Sequence, residues 1–161
     1  MLNVGSLRVL RFVIFVGLLV VCRRLFIFLF VLLFMVRKFN AVKALICRGD
    51  EYLFVESKDF EGGRFEIPGG RKDDGESDEV ALLREVKEEV ALVVKVVRLL
   101  DEWTLDLPAK DLVLDGKTYL CEYVSGDVCL GDEQSSFCWV SREELEGLDV
   151  SEWLRKSISC L

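Results

Sequence analysis

Three glutamates, Glu85, Glu88 and Glu89, are spaced so that one helix would carry all of them on a single face. Residues at positions i, i+3 and i+4 of a helix are neighbours, and like charges at that distance repel each other. Two interpretations fit the arrangement. It is either a solvated acidic face or a site for a hard divalent cation, Mg²⁺ or Mn²⁺, which binds carboxylate oxygens. The spacing alone does not decide between them.

The composition limits what other chemistry the chain can perform. It contains no histidine, which excludes Ser-His-Asp and Cys-His catalysis and histidine general bases. None of its six cysteines forms a C-x-x-C pair, which argues against a zinc site. Cysteines in apolar runs behave as small buried hydrophobes and suit a reducing compartment such as the cytoplasm. Carboxylates, a metal, Lys, Tyr or Cys must therefore carry the chemistry.

Charge divides the chain into two unlike parts. The 161 residues carry 21 basic and 28 acidic side chains, a net charge of −7. Residues 1–36 contain four arginines and no acid, so residues 37–161 have a net charge of 17 − 28 = −11. This second part is long enough to bury a core of its own. Its acidity argues against nucleic acid as a partner, because such binding relies on Lys and Arg to neutralise phosphates.

The first part contains a long apolar run. Residues 12–36 are interrupted only by Arg23 and Arg24, and a run of this length can span a bilayer with some tilt. Met35, however, lies at the change in composition and would make an ordinary start for a soluble domain. Residues 1–36 are therefore interpreted either as a hydrophobic helix that anchors the protein or as the product of a misassigned upstream start.

The glutamates need a helix to position them, and the sequence around them predicts one. Ser77 is a good N-cap, and Asp78 and Glu79 follow in the first turn, where the helix dipole favours acids. Apolar residues then recur at three- and four-residue spacing, which predicts an amphipathic helix of about four turns. Its predicted buried face consists of Val80, Leu83, Val86 and Val90.

Strands surround this helix in the prediction. Ala41–Cys47 and Tyr52–Val55 are predicted to form a hairpin around Arg48-Gly49-Asp50. Asp115-Gly116 predicts a second hairpin turn. Residues 101–111, which contain Pro108 and mixed charges, are predicted to form a loop or a frayed hairpin. Ser141 and Glu144 form a capping box that predicts a short helix. The remaining predicted elements are strands at Phe65–Ile67, Leu92–Leu100 and Phe137–Val140 and a last helix from Ser151 to Ser159.

A longer pattern encloses the three glutamates. From Gly70, five residues lead to Glu76, and seven more lead to the run REVKEEVAL, residues 84–92. This stretch resembles the Nudix box, G-x5-E-x7-R-E-U-x-E-E-x-G-U, at eight of its nine defined positions. The exception is Ala91, where the box has Gly. Either the helix extends slightly further or a left-handed turn is strained there. Flanking motifs extend the resemblance to about residues 40–156.

The resemblance implies a fold and an activity. It implies the α/β (α+β) class, as a Nudix-type α/β/α sandwich with a mixed β-sheet over residues 37–161. Nudix proteins hydrolyse a nucleoside diphosphate linked to another moiety, and they use a divalent metal, here Mg²⁺ or Mn²⁺. Glu85, Glu88 and Glu89 fall on the family's metal-binding carboxylates. The Gly69 carbonyl falls where a backbone ligand often joins them, and Glu133 falls where some members place a further ligand or general base.

Supporting roles follow from the same resemblance. Arg84 matches the box arginine, interpreted as orienting the glutamates, and Glu76 matches the first box glutamate. Arg64 and Arg71 are candidates for binding substrate phosphates, and each is equally well explained as a solvated charge. The implied substrate is a small nucleotide, either ADP-ribose-like or a nucleoside triphosphate. The alternative is a non-catalytic Nudix-fold nucleotide sensor. A cytoplasmic location, a homodimer and membrane contact through residues 12–36 complete the expectations.

Overall fold

The computed structural model describes residues 37–58 and 64–161, and its centre is a six-stranded β-sheet. The strands are β1 (Arg37–Arg48), β2 (Glu51–Ser57), β3 (Phe65–Glu66), β4 (Val93–Leu107), β5 (Leu112–Ser125) and β6 (Gln134–Ser141). The helices are α1 (Asp78–Val90) and α2 (Glu152–Ile158), with short 3₁₀ turns at Pro108–Lys110 and Leu145–Gly147. The strand order is β3-β2-β1-β5-β4, with β6 paired to β2. Antiparallel ladders and a parallel bridge from Phe65 to Val150 make the sheet mixed.

The two faces of the sheet bury two separate apolar clusters. Successive side chains of a strand point to opposite faces, and β1 follows this rule closely. Ala41 and Leu45 pack into the cluster that contains Leu154 of α2. Val42 and Ile46 pack into the cluster that contains the apolar side of α1. One helix therefore covers each face, and the predicted α/β/α sandwich is confirmed.

Helix α1 begins where the sequence predicts. Ser77 has extended backbone angles, and its Oγ accepts a hydrogen bond from the Val80 N–H at 3.2 Å. The predicted buried face is wrong in two positions, since Val80 and Leu83 are exposed. Leu82, Val86 and Val90 recur every four residues and form the buried stripe. Val80 and Leu83 project from other sides of the helix. The residues that α1 buries are Ala81, Leu82, Val86 and Val90.

The second predicted hairpin turn is wrong. Asp115 and Gly116 lie inside β5, and residues 101–107 continue β4, so of the two alternatives for residues 101–111 the structure has the hairpin. The chain reverses instead at the Pro108–Lys110 turn, where proline supplies a fixed φ and no N–H. Gly116 faces Trp103 across the ladder, and a Cβ there would lie 2.1 Å from the indole. Glycine stands here because the Trp103 ring occupies the space that a side chain would need. In sequence alone, the Asp-Gly pair has the same form as a hairpin turn.

Ala91 ends α1 in the left-handed conformation, with φ 59° and ψ 16°. Its N–H donates to the Lys87 carbonyl at 3.2 Å, which closes the last turn. Of the two alternatives that the sequence leaves open, the structure has the strained turn. A residue with a Cβ costs about 1–2 kcal/mol in this conformation compared with glycine.

The remaining predictions concern the segment after β6 and the apolar N-terminal part of the chain. Half of the predicted Ser141–Glu144 capping box forms: the Ser141 N–H donates to Glu144 Oε2, but the Ser141 Oγ donates to the same oxygen and the Glu144 N–H bonds to the Ser141 carbonyl. A single 3₁₀ turn follows in place of the short helix. Residues Lys38–Leu161 form one compact unit. The predicted apolar helix within residues 1–36 lies outside the described residues and stays a prediction. In the described ranges, no helix combines the length and apolar character needed to cross a bilayer.

Candidate active site

A cleft of about 460 Å³ lies beside the carboxylate-bearing side of α1. One end is acidic and includes Glu85, Glu88 and Glu89. The other end is apolar, lined by leucines of β4 and β5 and by Trp103 and Trp153. The two indoles lie with ring centres 4.4 Å apart, and the Trp103 Nε1–H donates to Thr118 Oγ1 at 3.0 Å. A charged group and an apolar ring could therefore be bound side by side.

Arg84 donates hydrogen bonds to Glu85 and Glu88 at the acidic end of the cleft and to Glu76 beside it. Its Nε and Nη2 atoms donate to the two oxygens of Glu76 at 2.9 and 2.8 Å. Its Nη1 donates to Glu85 Oε1 at 2.7 Å and to Glu88 Oε2 at 3.3 Å. Hydrogen bonds from Arg84, and another from the Asp73 N–H, lower the pKa of Glu76 to about 2. Neither Arg84 nor Glu76 lines the cleft, so their contacts are those of residues that orient the glutamates.

Glu89 is held by the backbone at the start of the box. Its Oε2 accepts a hydrogen bond from the Gly69 N–H at 2.8 Å. Burial raises the pKa of Glu89 above its ordinary value, and nearby Glu85 adds to the effect; Lys43 and the Gly69 N–H oppose it without cancelling it. A carboxylate with a raised pKa is a better proton acceptor than an ordinary one, as general-base chemistry near neutral pH requires.

The two glycines at the cleft are required by close contacts. Gly69 has φ 135°, and a Cβ there would lie 2.2 Å from the Val42 carbonyl oxygen. A Cβ on Gly70 would lie 2.5 Å from Glu85 Oε2. Pro68 and Gly70 direct their carbonyls to β1.

Lys43 and Glu66 are cleft residues that the sequence analysis does not single out. Lys43 Nζ lies 3.1 Å from Glu66 Oε2, and the two side chains are only 14% and 6% exposed. Glu66 Oε1 is buried without a hydrogen bond, and so is the Oε1 atom of Gln134, which also lines the cleft. Lys43 carries the only charge within the apolar run Ala41–Cys47. An isolated charge in an apolar strand is the sequence signal that could have identified Lys43 as a site residue.

The other predicted site residues are placed as follows. Glu133 and Arg71 line the cleft with the three box glutamates, and the Arg71 guanidinium lies over the Phe39 ring at 4.6 Å. Arg64 lies outside the cleft lining and pairs with Asp149 at 3.6 Å. The roles assigned to these side chains stay predictions.

The acidic end has the donors that a hard cation prefers. Every candidate ligand is a carboxylate or carbonyl oxygen, and the buried Glu66 Oε1 nearby lacks a partner. Within residues 37–58 and 64–161, no three acidic, cysteine or histidine side chains converge closely enough to enclose an ion. Arg84 draws Glu85 and Glu88 to one side, while the Gly69 N–H holds Glu89. The chemistry of the donor set fits a divalent metal.

Comparison with known proteins decides the family. The profile of the NUDIX domain matches residues 37–159. The chain belongs to the Nudix family. Its box residues are those that the sequence resemblance identifies, and Nudix hydrolases generally use a divalent metal.

Two curated relatives carry names of hydrolytic enzymes. The NAD-capped RNA hydrolase NudC of Pseudomonas fluorescens is 32% identical over 109 residues, which cover 67% of this chain and 38% of the relative. The 8-oxo-dGTP diphosphatase of Proteus vulgaris is 33% identical over 81 residues, which cover 48% of this chain and 72% of the relative. The chain thus spans well under half the length of the first relative.

Solved Nudix structures share the fold. A MutT protein from Methanosarcina mazei Go1 has a TM-score of 0.68 at 24% identity, covering 76% of this chain and 91% of its own. An ADP-ribose pyrophosphatase from Streptococcus suis 89-1591 has a TM-score of 0.57 at 25% identity, covering 75% and 90%. These likenesses agree with the sandwich architecture derived above.

Proposed function

We propose that the protein hydrolyses the pyrophosphate bond of a nucleoside diphosphate linked to a second moiety, and that it requires Mg²⁺. The observation that carries the proposal is the organised acidic end of the cleft. Arg84 holds Glu76 and Glu85, and Gly69 holds Glu89, beside an apolar end suited to a nucleobase. Three repelling carboxylates kept in place by dedicated donors indicate a task beyond solvation.

The residues divide the work by position. Glu85, Glu88 and Glu89, with the Gly69 carbonyl and Glu133, would hold the divalent metal. Bound there, the metal would supply positive charge against the substrate phosphates and polarise the bond to be broken. A carboxylate of this cluster would accept a proton from the attacking water, and Glu89, which the Gly69 N–H holds in place, is the candidate. Arg84 and Glu76 keep these groups in position and make no contact with the substrate.

The substrate belongs to the nucleotide derivatives that the relatives' names mention. ADP-ribose and 8-oxo-dGTP both combine a diphosphate with a ring system, which matches the acidic and apolar ends of the cleft. The net charge of −11 over residues 37–161 disfavours a long RNA substrate. A cytoplasmic location and a homodimer stay predictions.

The direct test is hydrolysis by the full chain. Release of phosphate or nucleotide would be measured on ADP-ribose, NADH, a dinucleoside tetraphosphate, dGTP and 8-oxo-dGTP, with Mg²⁺, with Mn²⁺ and with chelator. Glu89→Gln is expected to lower kcat about 10²- to 10⁴-fold, because it removes a proton acceptor and a metal ligand. Glu122→Gln, a change of the same kind at an exposed position on β5, is the matched control.

Each result has a defined meaning. Turnover that requires the metal and disappears in Glu89→Gln supports the proposal. Turnover that persists in chelator, or in Glu89→Gln, contradicts the assigned site. A folded protein that binds nucleotide and metal but hydrolyses none of the panel favours the sensor alternative.

A further inference from the structure

Lys43 is unusual among the cations of the cleft. Of the described residues, three basic ones line it, and two of them, Arg71 and Lys110, are exposed. Lys43 projects from β1, whose neighbouring residues are apolar, and its side chain is 14% exposed. A lysine ammonium has three N–H donors. Within the described part of the chain, Glu66 Oε2 is its one hydrogen-bond acceptor, which leaves two donors available to a ligand.

Stability does not explain why the pair is buried. Taking two charges out of water costs several kcal/mol per ion, and an apolar pair of similar volume is often as stable or more so. The Glu66 carboxylate, moreover, keeps one buried oxygen without a partner. The pair is therefore costly to maintain, and a structural role alone gives no reason for its presence in a cleft wall.

The position of Lys43 indicates what it contacts. A Cβ on Gly69 would lie 2.8 Å from Lys43 Cα, so Lys43 adjoins the segment that carries the Gly69 carbonyl. Two residues earlier on the same face of β1, Ala41 packs in the cluster that contains Trp103. Lys43 thus lies between the acidic and apolar ends. A nucleoside diphosphate that occupied both ends would pass its phosphates across this point.

The ammonium also keeps its charge. The Glu66 carboxylate, 3.1 Å from Lys43 Nζ, favours the charged form of the amine. Among the residues that the structure describes, five glutamates and three basic residues line the cleft. An anionic substrate therefore needs positive charge deep in the cleft as well as at its rim.

We propose that Lys43 is a substrate-binding residue, held by Glu66, whose ammonium donates to a non-bridging oxygen of the phosphate nearer the apolar end of the cleft. This inference rests on the proposed function, and it adds a phosphate ligand on β1, outside the Nudix box. Glu66 acts as a positioning residue for Lys43. The ligand chemistry is a nucleoside diphosphate.

Four variants of the full chain test the inference. Lys43→Met removes the charge and Lys43→Arg keeps it. The double variant Lys43→Met/Glu66→Gln removes both charges, so a merely structural pair is eliminated as a whole. Lys156→Met is the matched control, since Lys156 pairs with the largely buried Asp101 at 2.9 Å outside the cleft. Calorimetry with Mg²⁺ would measure the Kd of ADP and of inorganic pyrophosphate, and thermal melting would monitor folding.

The expected pattern separates binding from stability. Lys43→Met should weaken ADP binding about 10- to 100-fold, the range of a lost charged hydrogen bond. Lys43→Arg should remain within about threefold, and the double variant should bind as weakly as Lys43→Met. Should Lys43→Met fail to fold, the double variant and Lys43→Arg still give the answer.

Three results would overturn the inference: wild-type affinity in Lys43→Met, restored affinity in the double variant, or no binding of either probe to the wild type. The proposed function fails separately. Binding of ADP that depends on Lys43 without turnover of any nucleotide would refute the hydrolase and keep the inference. Turnover together with binding that does not depend on Lys43 would keep the hydrolase and refute the inference.

Discussion

Gly70→Ala is expected to damage activity far more than stability. A Cβ at position 70 would lie 2.5 Å from Glu85 Oε2, whereas ordinary contact begins at 3.4 Å. The Glu85 carboxylate must therefore move by about 0.9 Å, the difference between these two distances. The same carboxylate accepts the 2.7 Å hydrogen bond from Arg84 through Oε1, so the shift is expected to lengthen that bond. A misplacement of about 1 Å in an active site costs on the order of 10²-fold in rate.

The stability effect is expected to be small for two reasons. The atoms that the new methyl meets belong to the end of a flexible side chain, which can rotate away. Replacing Gly by Ala also stabilises by about 0.4–1 kcal/mol through the unfolded chain where the native backbone tolerates it. We expect the free energy of unfolding to change by less than about 1 kcal/mol, within the balance of these terms.

The assay compares kcat/KM and urea unfolding for the wild type, Gly70→Ala and Gly49→Ala. Gly49 has φ 64° and no atom within 4 Å of its added Cβ, so its substitution should cost about 1–2 kcal/mol of stability and no activity. Full activity in folded Gly70→Ala would refute the proposed dependence of catalysis on the position of Glu85. Loss of folding would show that the backbone, rather than the carboxylate, is crowded.

Three further predictions concern other contacts. Ala91→Gly should raise the free energy of unfolding by about 1 kcal/mol, because it relieves the left-handed cap; thermal melting measures this, and kcat should not change. Gly116→Ala should destabilise by about 1–3 kcal/mol through overpacking against Trp103, with a lower midpoint in urea as the readout; an unchanged midpoint would contradict the contact. Glu76, with its pKa lowered to about 2 by Arg84, stabilises the fold above its unfolded pKa near 4.5, and this contribution is lost as the pH falls towards 2. The stability difference between the wild type and Glu76→Gln, from urea unfolding at a series of pH values, should therefore narrow over that range and stay constant above pH 5.

Local chemistry made part of the fold predictable. Ser77 caps α1 through its own hydroxyl, and the turn at Gly49-Asp50 joins β1 to β2, because both signals depend on residues adjacent in sequence. Asp115-Gly116 misled for the opposite reason. Its glycine makes room for Trp103, thirteen residues away on the neighbouring strand. No local sequence pattern reveals a partner across a ladder.

The site shows the same division. The spacing of Glu85, Glu88 and Glu89 predicted that they share one face of one helix, and the structure brings all three to one cleft. The family resemblance predicts that Arg84 orients the glutamates; the structure gives it four hydrogen bonds to Glu76, Glu85 and Glu88, and the role stays a prediction. The Lys43–Glu66 pair joins residues 23 positions apart. Their proximity depends on how β3 and the following segment lie against β1, which the sequence does not state.

The stacked tryptophans provide an optical label inside the cleft. Two of the three tryptophans, Trp103 and Trp153, have ring centres 4.4 Å apart, close enough for their electronic transitions to couple. The third, Trp139, lies elsewhere, beneath the Arg48 guanidinium at 4.0 Å. A ring that enters beside the coupled pair changes their near-ultraviolet circular dichroism and leaves the signal of the third in place. The protein thus reports occupancy of its own cleft spectroscopically, without a dye or a modified ligand.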